Sequence, residues 1–137
     1  MINNYEKILF KNVFPKIDNM SNVKCFFEEQ LKVAGAPHKV ISQVNIAVDE
    51  IFSNIVFHGN AGLVRVGCRI IGHKAIFYFK DDGIPYNPTK TPEPDISLPI
   101  EKRNIGGLGI YMVRKMMDGM EYFYSDGLNI FVLEKEW

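Results

Sequence analysis

Glu50 and Asn54 stand four residues apart in the stretch Glu50-Ile-Phe-Ser-Asn54-Ile-Val-Phe-His58, so in a helix they share one side, a turn apart. A partly sheltered carboxylate there can accept or orient the proton of an attacking hydroxyl. An amide oxygen is the kind of hard ligand that Mg²⁺ takes beside phosphates and water. Further on, Asp81-Asp82-Gly83 directly follows Ala75-Ile-Phe-Tyr-Phe-Lys80, which lets Asp81 project from a strand end into a crevice while Gly83 allows a close backbone approach. Then Gly106-Gly107-Leu108-Gly109 opens an apolar segment, and the unpaired amides and dipole of a helix start favour an anion. Singly, each motif has a plain explanation: an amphipathic helix with polar flanks, a turn, a glycine-rich helix start. Together they look like a nucleotide site; 27 residues run from Asn54 to Asp81 and 26 from Asp81 to Gly107.

These residues need elements to hold them. A strand is expected near Tyr5 to Asn12, and a first helix from about Ser21 to Ala34 carries Val23, Phe26, Phe27, Leu31 and Val33 before Gly35 stops it. Pro37 suits the first turn of a second helix, in which Ile41, Val44, Val48, Ile51 and Ile55 recur at spacings of three and four as a core-facing seam. His58 lies beside that seam. Two β-branched runs, Leu63 to Ile71 and Lys74 to Lys80, join at Gly72-His73. From Asn87 to Asn104 the chain holds Pro88, Pro92, Pro94 and Pro99 without sustained periodicity, the mark of a long functional or mobile loop. A third helix is expected from about Gly107 to Met117, followed by strands Glu121 to Tyr124 and Leu128 to Glu134 closing on Asp126-Gly127.

With 137 residues and 47% hydrophobic content, the chain suits a single domain over 1–137. Sixteen basic and sixteen acidic residues leave no global field to gather nucleic acid or an anionic membrane, so phosphate binding must be local. Cys25 and Cys68 lack CxxC spacing, His38, His58 and His73 are scattered, and no apolar stretch approaches the roughly 20 residues of a membrane span. The first residues also lack the basic region and apolar core of a signal peptide. The expectation is a soluble cytoplasmic protein with reduced thiols.

Taken together, the motifs resemble the N, G1 and G2 boxes of the ATPase superfamily of gyrase, Hsp90, histidine kinases and MutL. Within it the chain is similar to the anti-sigma-factor serine kinases of bacterial partner-switching pathways. The similarity runs through Val48-Asp-Glu-Ile-Phe-Ser-Asn-Ile-Val-Phe-His-Gly59, Asp81-Asp-Gly-Ile-Pro-Tyr-Asn-Pro88, and Gly106-Gly-Leu-Gly-Ile-Tyr-Met-Val-Arg-Lys-Met-Met-Asp118 with its helix-closing acid. This resemblance implies an α+β fold of the histidine kinase-like (Bergerat) type: a two-layer α/β sandwich with a mixed, mostly antiparallel sheet and helices on one face. It implies ATP or ADP with Mg²⁺ as cofactors, Glu50 as catalytic base and Asn54 as magnesium ligand. Asp81 would accept a hydrogen bond from the adenine amino group, beside Gly83. Gly106, Gly107, Leu108 and Gly109 would face the phosphates under a lid at about 88–105. His58 takes either a structural or a phosphate-proximal role, and Lys102 and Arg103 either close over the phosphates or are simply solvated. Two departures stand out: Pro85 where the group has a second glycine, and Gly127-Leu128-Asn129 where many relatives have Gly-Thr. Asn129 both donates and accepts, and so is a candidate substitute at the adenine pocket.

The implied function is phosphorylation of a serine on an anti-anti-sigma-factor-like partner coupled to sequestration of a sigma factor, by a homodimer with no direct nucleic-acid or membrane contact. Two rivals remain. One is a nucleotide-dependent protein-binding module without catalysis, against which Glu50 argues. The other is the ATP-binding part of a histidine kinase system, against which stands the lack of room in 137 residues for a phospho-accepting helix pair.

Overall fold

The computed structural model describes residues 7–90, 97, 99 and 107–137. Among them the chain runs β1 (Leu9–Val13), α1 (Met20–Val33), α2 (His38–His58), β2 (Val64–Ile71), β3 (Lys74–Asp81), α3 (Gly107–Met116), β4 (Gly119–Ser125) and β5 (Leu128–Glu136), with 3-10 turns at Ile17–Asn19 and Pro88–Lys90. The expected start of the first strand at Tyr5 lies outside the described residues, as does most of the expected lid; of that segment, Pro88–Lys90 is a 3-10 turn.

The helix breaks follow local chemistry. Gly35 takes φ +79, donating its amide to the Lys32 carbonyl while the Ala36 amide reaches Leu31, a Schellman closure of α1. Pro37 sits just outside α2 with extended ψ 157, and its carbonyl accepts the amides of Val40 and Ile41.

The sheet order is β1-β2-β3-β5-β4, and every neighbouring pair is antiparallel. The parallel part of the expected mixed sheet is not found among these strands. Two of the four pairs are hairpins, which reverse direction by construction, and the longer connections also return the chain in the opposite sense. Asp126 and Gly127 both take positive φ, 54 and 76, the backbone that a two-residue hairpin turn demands.

On β3 the buried positions alternate as Ala75, Phe77, Phe79 and Asp81; on β5 they are Asn129, Phe131, Leu133 and Lys135. That face receives the helices. The Phe27 ring of α1 meets Phe77 and Phe79 edge-on at centroid distances of 5.0 and 5.6 Å. Helix α2 buries Val40, Ile41, Val44, Ala47, Val48, Ile51, Phe52 and Ile55 in the same core. At 21 residues it is, against expectation, long and apolar enough to cross a membrane by length and composition. Its apolar side, however, is taken up by the sheet. Helix α3 ends where the Lys135 ammonium donates to the Met116 carbonyl at 2.6 Å. Asp118, expected to close that helix, instead accepts the Glu136 amide at 2.7 Å and pins the end of β5.

Candidate functional site

Strand alternation carries Asp81 and Asn129 onto the helix-covered face, and the β3–β5 register sets them directly opposite each other. Two polar side chains, each only 6% exposed, therefore lie at one end of an otherwise apolar surface. Each is paired. Asp81 Oδ1 accepts the Gly83 amide at 2.9 Å and the Asn129 side-chain amide at 3.1 Å, whereas no bond among the described residues falls on Oδ2. Burial pushes the Asp81 carboxyl above its ordinary range, the two donors pull it back, and the neighbouring Asp82 charge adds to the rise. Asp82 itself faces solvent, and the Leu63 and Gly62 amides hold its carboxyl low; it fastens the start of β2 and points away from the cleft.

Asn129 is the hub of this end. Its amide group also lies 2.9 Å from the Ile84 carbonyl and 3.3 Å from that of Gly83, and its oxygen accepts from the Tyr86 amide at 3.1 Å and from the Tyr122 hydroxyl. Gly83 is required for a different reason from the one its sequence context implies. A Cβ there would lie 2.2 Å from the Gly59 carbonyl oxygen, so the glycine lets the turn press against the end of α2, where the Ile84 amide donates to that same oxygen at 2.8 Å.

A narrow cleft of about 40 Å³ opens above this pair. Ile51 and Ile55 of α2, Ile84, Tyr86, Tyr122 and Phe131 supply its apolar walls, and Asp81 lies at the polar end with Asn54 on the rim. A flat apolar ring carrying an exocyclic amino group matches that lining.

The other end is set by α2 meeting α3. Of the adjacent acids Asp49 and Glu50, Asp49 is neutralised by Lys24 of α1, which leaves Glu50 facing α3. The Glu50 carboxylate lies against Gly109 so closely that a Cβ at that position would fall 2.1 Å from Cδ and 2.2 and 2.3 Å from the two oxygens. Asn54 donates its amide group to Glu50 Oε1 at 3.2 Å. A carboxylate only accepts, so this bond fixes the Asn54 orientation and leaves its Oδ1, the atom suited to a hard cation, as the outward one. An α3 start with Gly109 open to Glu50, beside an amide oxygen that has no partner among the described residues, has the donor chemistry that a phosphate-bound hard cation would need.

Among the expected site residues, the structure thus gathers Asn54, Asp81 and Asn129 at the cleft, and Glu50 with Gly109 at the start of α3. Leu108 is 44% exposed on the first turn of α3, and Gly107 begins it. His58 does not join them: it is exposed at the last turn of α2, and Gly59 lines the cleft in its place. Arg103 and Gly106 lie outside the described residues. Sequence reasoning did not single out Tyr122 or Phe131, whose places depend on the sheet pairing. It also missed Arg114, whose guanidinium donates to the Thr89 carbonyl and ties α3 to the turn after Tyr86.

Fold and cleft together define an α+β protein whose antiparallel sheet holds a buried carboxylate under a helix-walled base slot. A family model described as histidine kinase-like ATPase domain matches residues 15–135, and the chain belongs to that family. Membership implies an adenine nucleotide as its cofactor. Relatives include the serine-protein kinase RsbW of Bacillus cereus (strain AH820) and that of Bacillus anthracis (strain A0248), each 23% identical over 95% of this chain and 85% of theirs. Among solved structures, the RsbU and RsbW domains of Rv1364c from Mycobacterium tuberculosis align with a TM-score of 0.67 at 17% identity, over 95% of this chain and 32% of that one. The histidine kinase AdeS of Acinetobacter baumannii aligns with a TM-score of 0.53 at 12% identity, over 95% of this chain and 68% of its own.

Proposed function

We propose that this chain is an ATP-dependent serine-protein kinase that transfers the γ-phosphoryl group to a serine of an anti-anti-sigma-factor-like partner and, in its unswitched state, sequesters a sigma factor. The observation that carries the reading is the seat of Glu50 on Gly109, which brings an acid to the start of the helix expected to face phosphate. In this reading Asp81 Oδ2 accepts from the base amino group, and the amides at 107–109 hold phosphate oxygens. Glu50 takes the proton of the attacking hydroxyl. Asn54 Oδ1 would hold Mg²⁺, which neutralises charge on the transferring group, and phosphates and water would complete its shell. Phosphoryl transfer asks for little more than such positioning and charge balance. The relatives named serine-protein kinase support this activity over a purely binding role. A single domain acting as a cytoplasmic homodimer belongs to the same proposal.

The test is incorporation of labelled γ-phosphate into a genomically linked partner, run beside nucleotide binding on the same samples. Glu50→Gln keeps shape and hydrogen bonding, so ATP still binds while transfer falls by about 10²- to 10⁴-fold. Asn54→Ala loses the magnesium-dependent part of nucleotide affinity as well as turnover. Transfer by Glu50→Gln at the wild-type rate removes Glu50 from the chemistry, and no transfer by wild type favours the binding module.

A further inference from the structure

Every polar atom of the Asn129 side chain is engaged inside the protein. Its oxygen is taken by the Tyr122 hydroxyl and the Tyr86 amide; its amide hydrogens are shared among Asp81 Oδ1 and the carbonyls of Gly83 and Ile84. A side chain so saturated has no polar atom to spare for a ligand, although it sits in the lining of the cleft. What it does is determine how its neighbour meets one. The Tyr86 N–H can only donate, so it requires the Asn129 oxygen on its side, and the Tyr122 hydroxyl donates to the same oxygen. The amide hydrogens are thereby turned toward Asp81. Asp81 then has one oxygen committed and one available, and the available one is a pure acceptor.

We propose that Asn129, oriented by Tyr122, is the positioning residue that sets base selectivity: by engaging one oxygen of Asp81 it presents the other as a charged acceptor, which admits a purine bearing a 6-amino group and rejects one bearing a 6-oxo group. The inference rests on the nucleotide reading above and extends it to a residue whose role there was left open. Its physical basis is the asymmetry of hydrogen bonding. A 6-oxo group facing an ionised carboxylate meets acceptor with acceptor, and a buried unpaired polar group is costly. Were Asn129 replaced by an acid, the first proton would sit between the two carboxyls, and on further acidification Asp81 would carry one on Oδ2 and donate it to an oxo group. Among the described residues, the groups able to affect that proton are few. They are Asp82 next in the chain, Tyr86 on the following turn and Tyr122 on β4; α2 adds only Asn54 and isoleucines to the cleft. Burial raises the Tyr122 phenol as well, so at neutral pH it stays a donor to Asn129.

The experiment measures ADP and inosine diphosphate affinities of wild type, Asn129→Asp and Tyr122→Phe by calorimetry between pH 5.5 and 8. Asn129→Asp places two carboxyls about 3 Å apart, which cannot both ionise and so share a proton. Wild type prefers ADP throughout. In Asn129→Asp the preference shrinks by roughly tenfold at the acidic end and recovers as the pH rises, while Tyr122→Phe, which leaves the ring wall intact, narrows it by a smaller factor of about three to five. Tyr122→Phe serves as the deciding variant if Asn129→Asp does not fold. An ADP preference unchanged in whichever variants fold, at every pH, overturns the inference and leaves the nucleotide reading standing. Binding of neither nucleotide by wild type overturns both.

Discussion

Replacing Gly109 by alanine probes the seat on which the kinase proposal rests. The new Cβ would stand 2.1 to 2.3 Å from three atoms of the Glu50 carboxyl group. Ordinary contact requires a separation of at least 3.4 Å, so the carboxylate must retreat by more than about 1 Å. It is the end of a flexible side chain and can swing. Doing so breaks its 3.2 Å bond with Asn54, which costs about 1 kcal/mol. Against this, alanine is favoured over glycine within a helix by roughly 0.5–1 kcal/mol. The expected net change in stability is thus near zero to about 1 kcal/mol of loss. In a Glu50→Ala background no carboxylate is in the way, and the same Gly109→Ala change becomes stabilising by up to about 1 kcal/mol. The measurement is a double-mutant cycle by denaturant unfolding, in which a sign change between the two backgrounds reports the contact. Phosphoryl transfer by the single variant falls about 10²-fold, because an acid misplaced by an ångström no longer meets the hydroxyl. Additive stabilities, or transfer at the wild-type rate, would refute the reasoning.

Gly83→Ala contrasts with this, since its Cβ meets backbone, 2.2 Å from the Gly59 carbonyl oxygen, and nothing can swing aside; a loss of about 1–3 kcal/mol on denaturant unfolding is expected, together with weakened ADP binding. Asp81 yields a pH prediction whose sign follows from its raised carboxyl. A folded-state value above the unfolded one means that the fold retains its proton more readily, so this group favours the fold at low pH and that contribution fades as pH rises through the folded value. Asp81→Asn should accordingly leave nucleotide-free stability at neutral pH unchanged or higher while weakening ADP binding, and wild-type affinity for ADP should drop on acidification at a pH above the ordinary carboxylate range. Thermal unfolding and calorimetry on the same samples check both, and a variant that binds as well as wild type would remove Asp81 from base recognition.

Much of this arrangement was legible in the chain because it is written in short-range patterns. The seam from Ile41 to Ile55 defines one side of α2, and the dipeptide Asp126-Gly127 announces a hairpin. The separation of Glu50 from Asn54 by one turn follows from helix geometry alone. What could not be read depends on pairing across long separations. Asn129 was visible as an oddity of the last hairpin, but only the register that sets it opposite Asp81 shows that its atoms are spent inside the protein. Tyr122 enters by the same route, since β4 reaches the cleft only through β5. Gly83 and Gly109 were recognised by type, yet the reason each must lack a side chain lies in another element, the end of α2 for one and Glu50 for the other. His58 ends a helical stripe that turns steadily, and it lies exposed outside the lining of the cleft.

Helix α2 seats Glu50 against Gly109 at one mark and, just past its end, carries the Gly59 carbonyl that accepts the Ile84 amide at another. Nine residues separate the two points, about 13 Å along a helix at 1.5 Å per residue. The helix is a measuring rod between the start of α3 and the turn after β3. Insertion or deletion of a single residue between these marks would shift the spacing by 1.5 Å and rotate one mark by about 100° relative to the other, ruining both at once. The hairpin at Gly72-His73, remote from either mark, carries no such constraint. Change of length in this protein should therefore be tolerated at turns and forbidden along that nine-residue interval, whatever the identity of the residues that fill it.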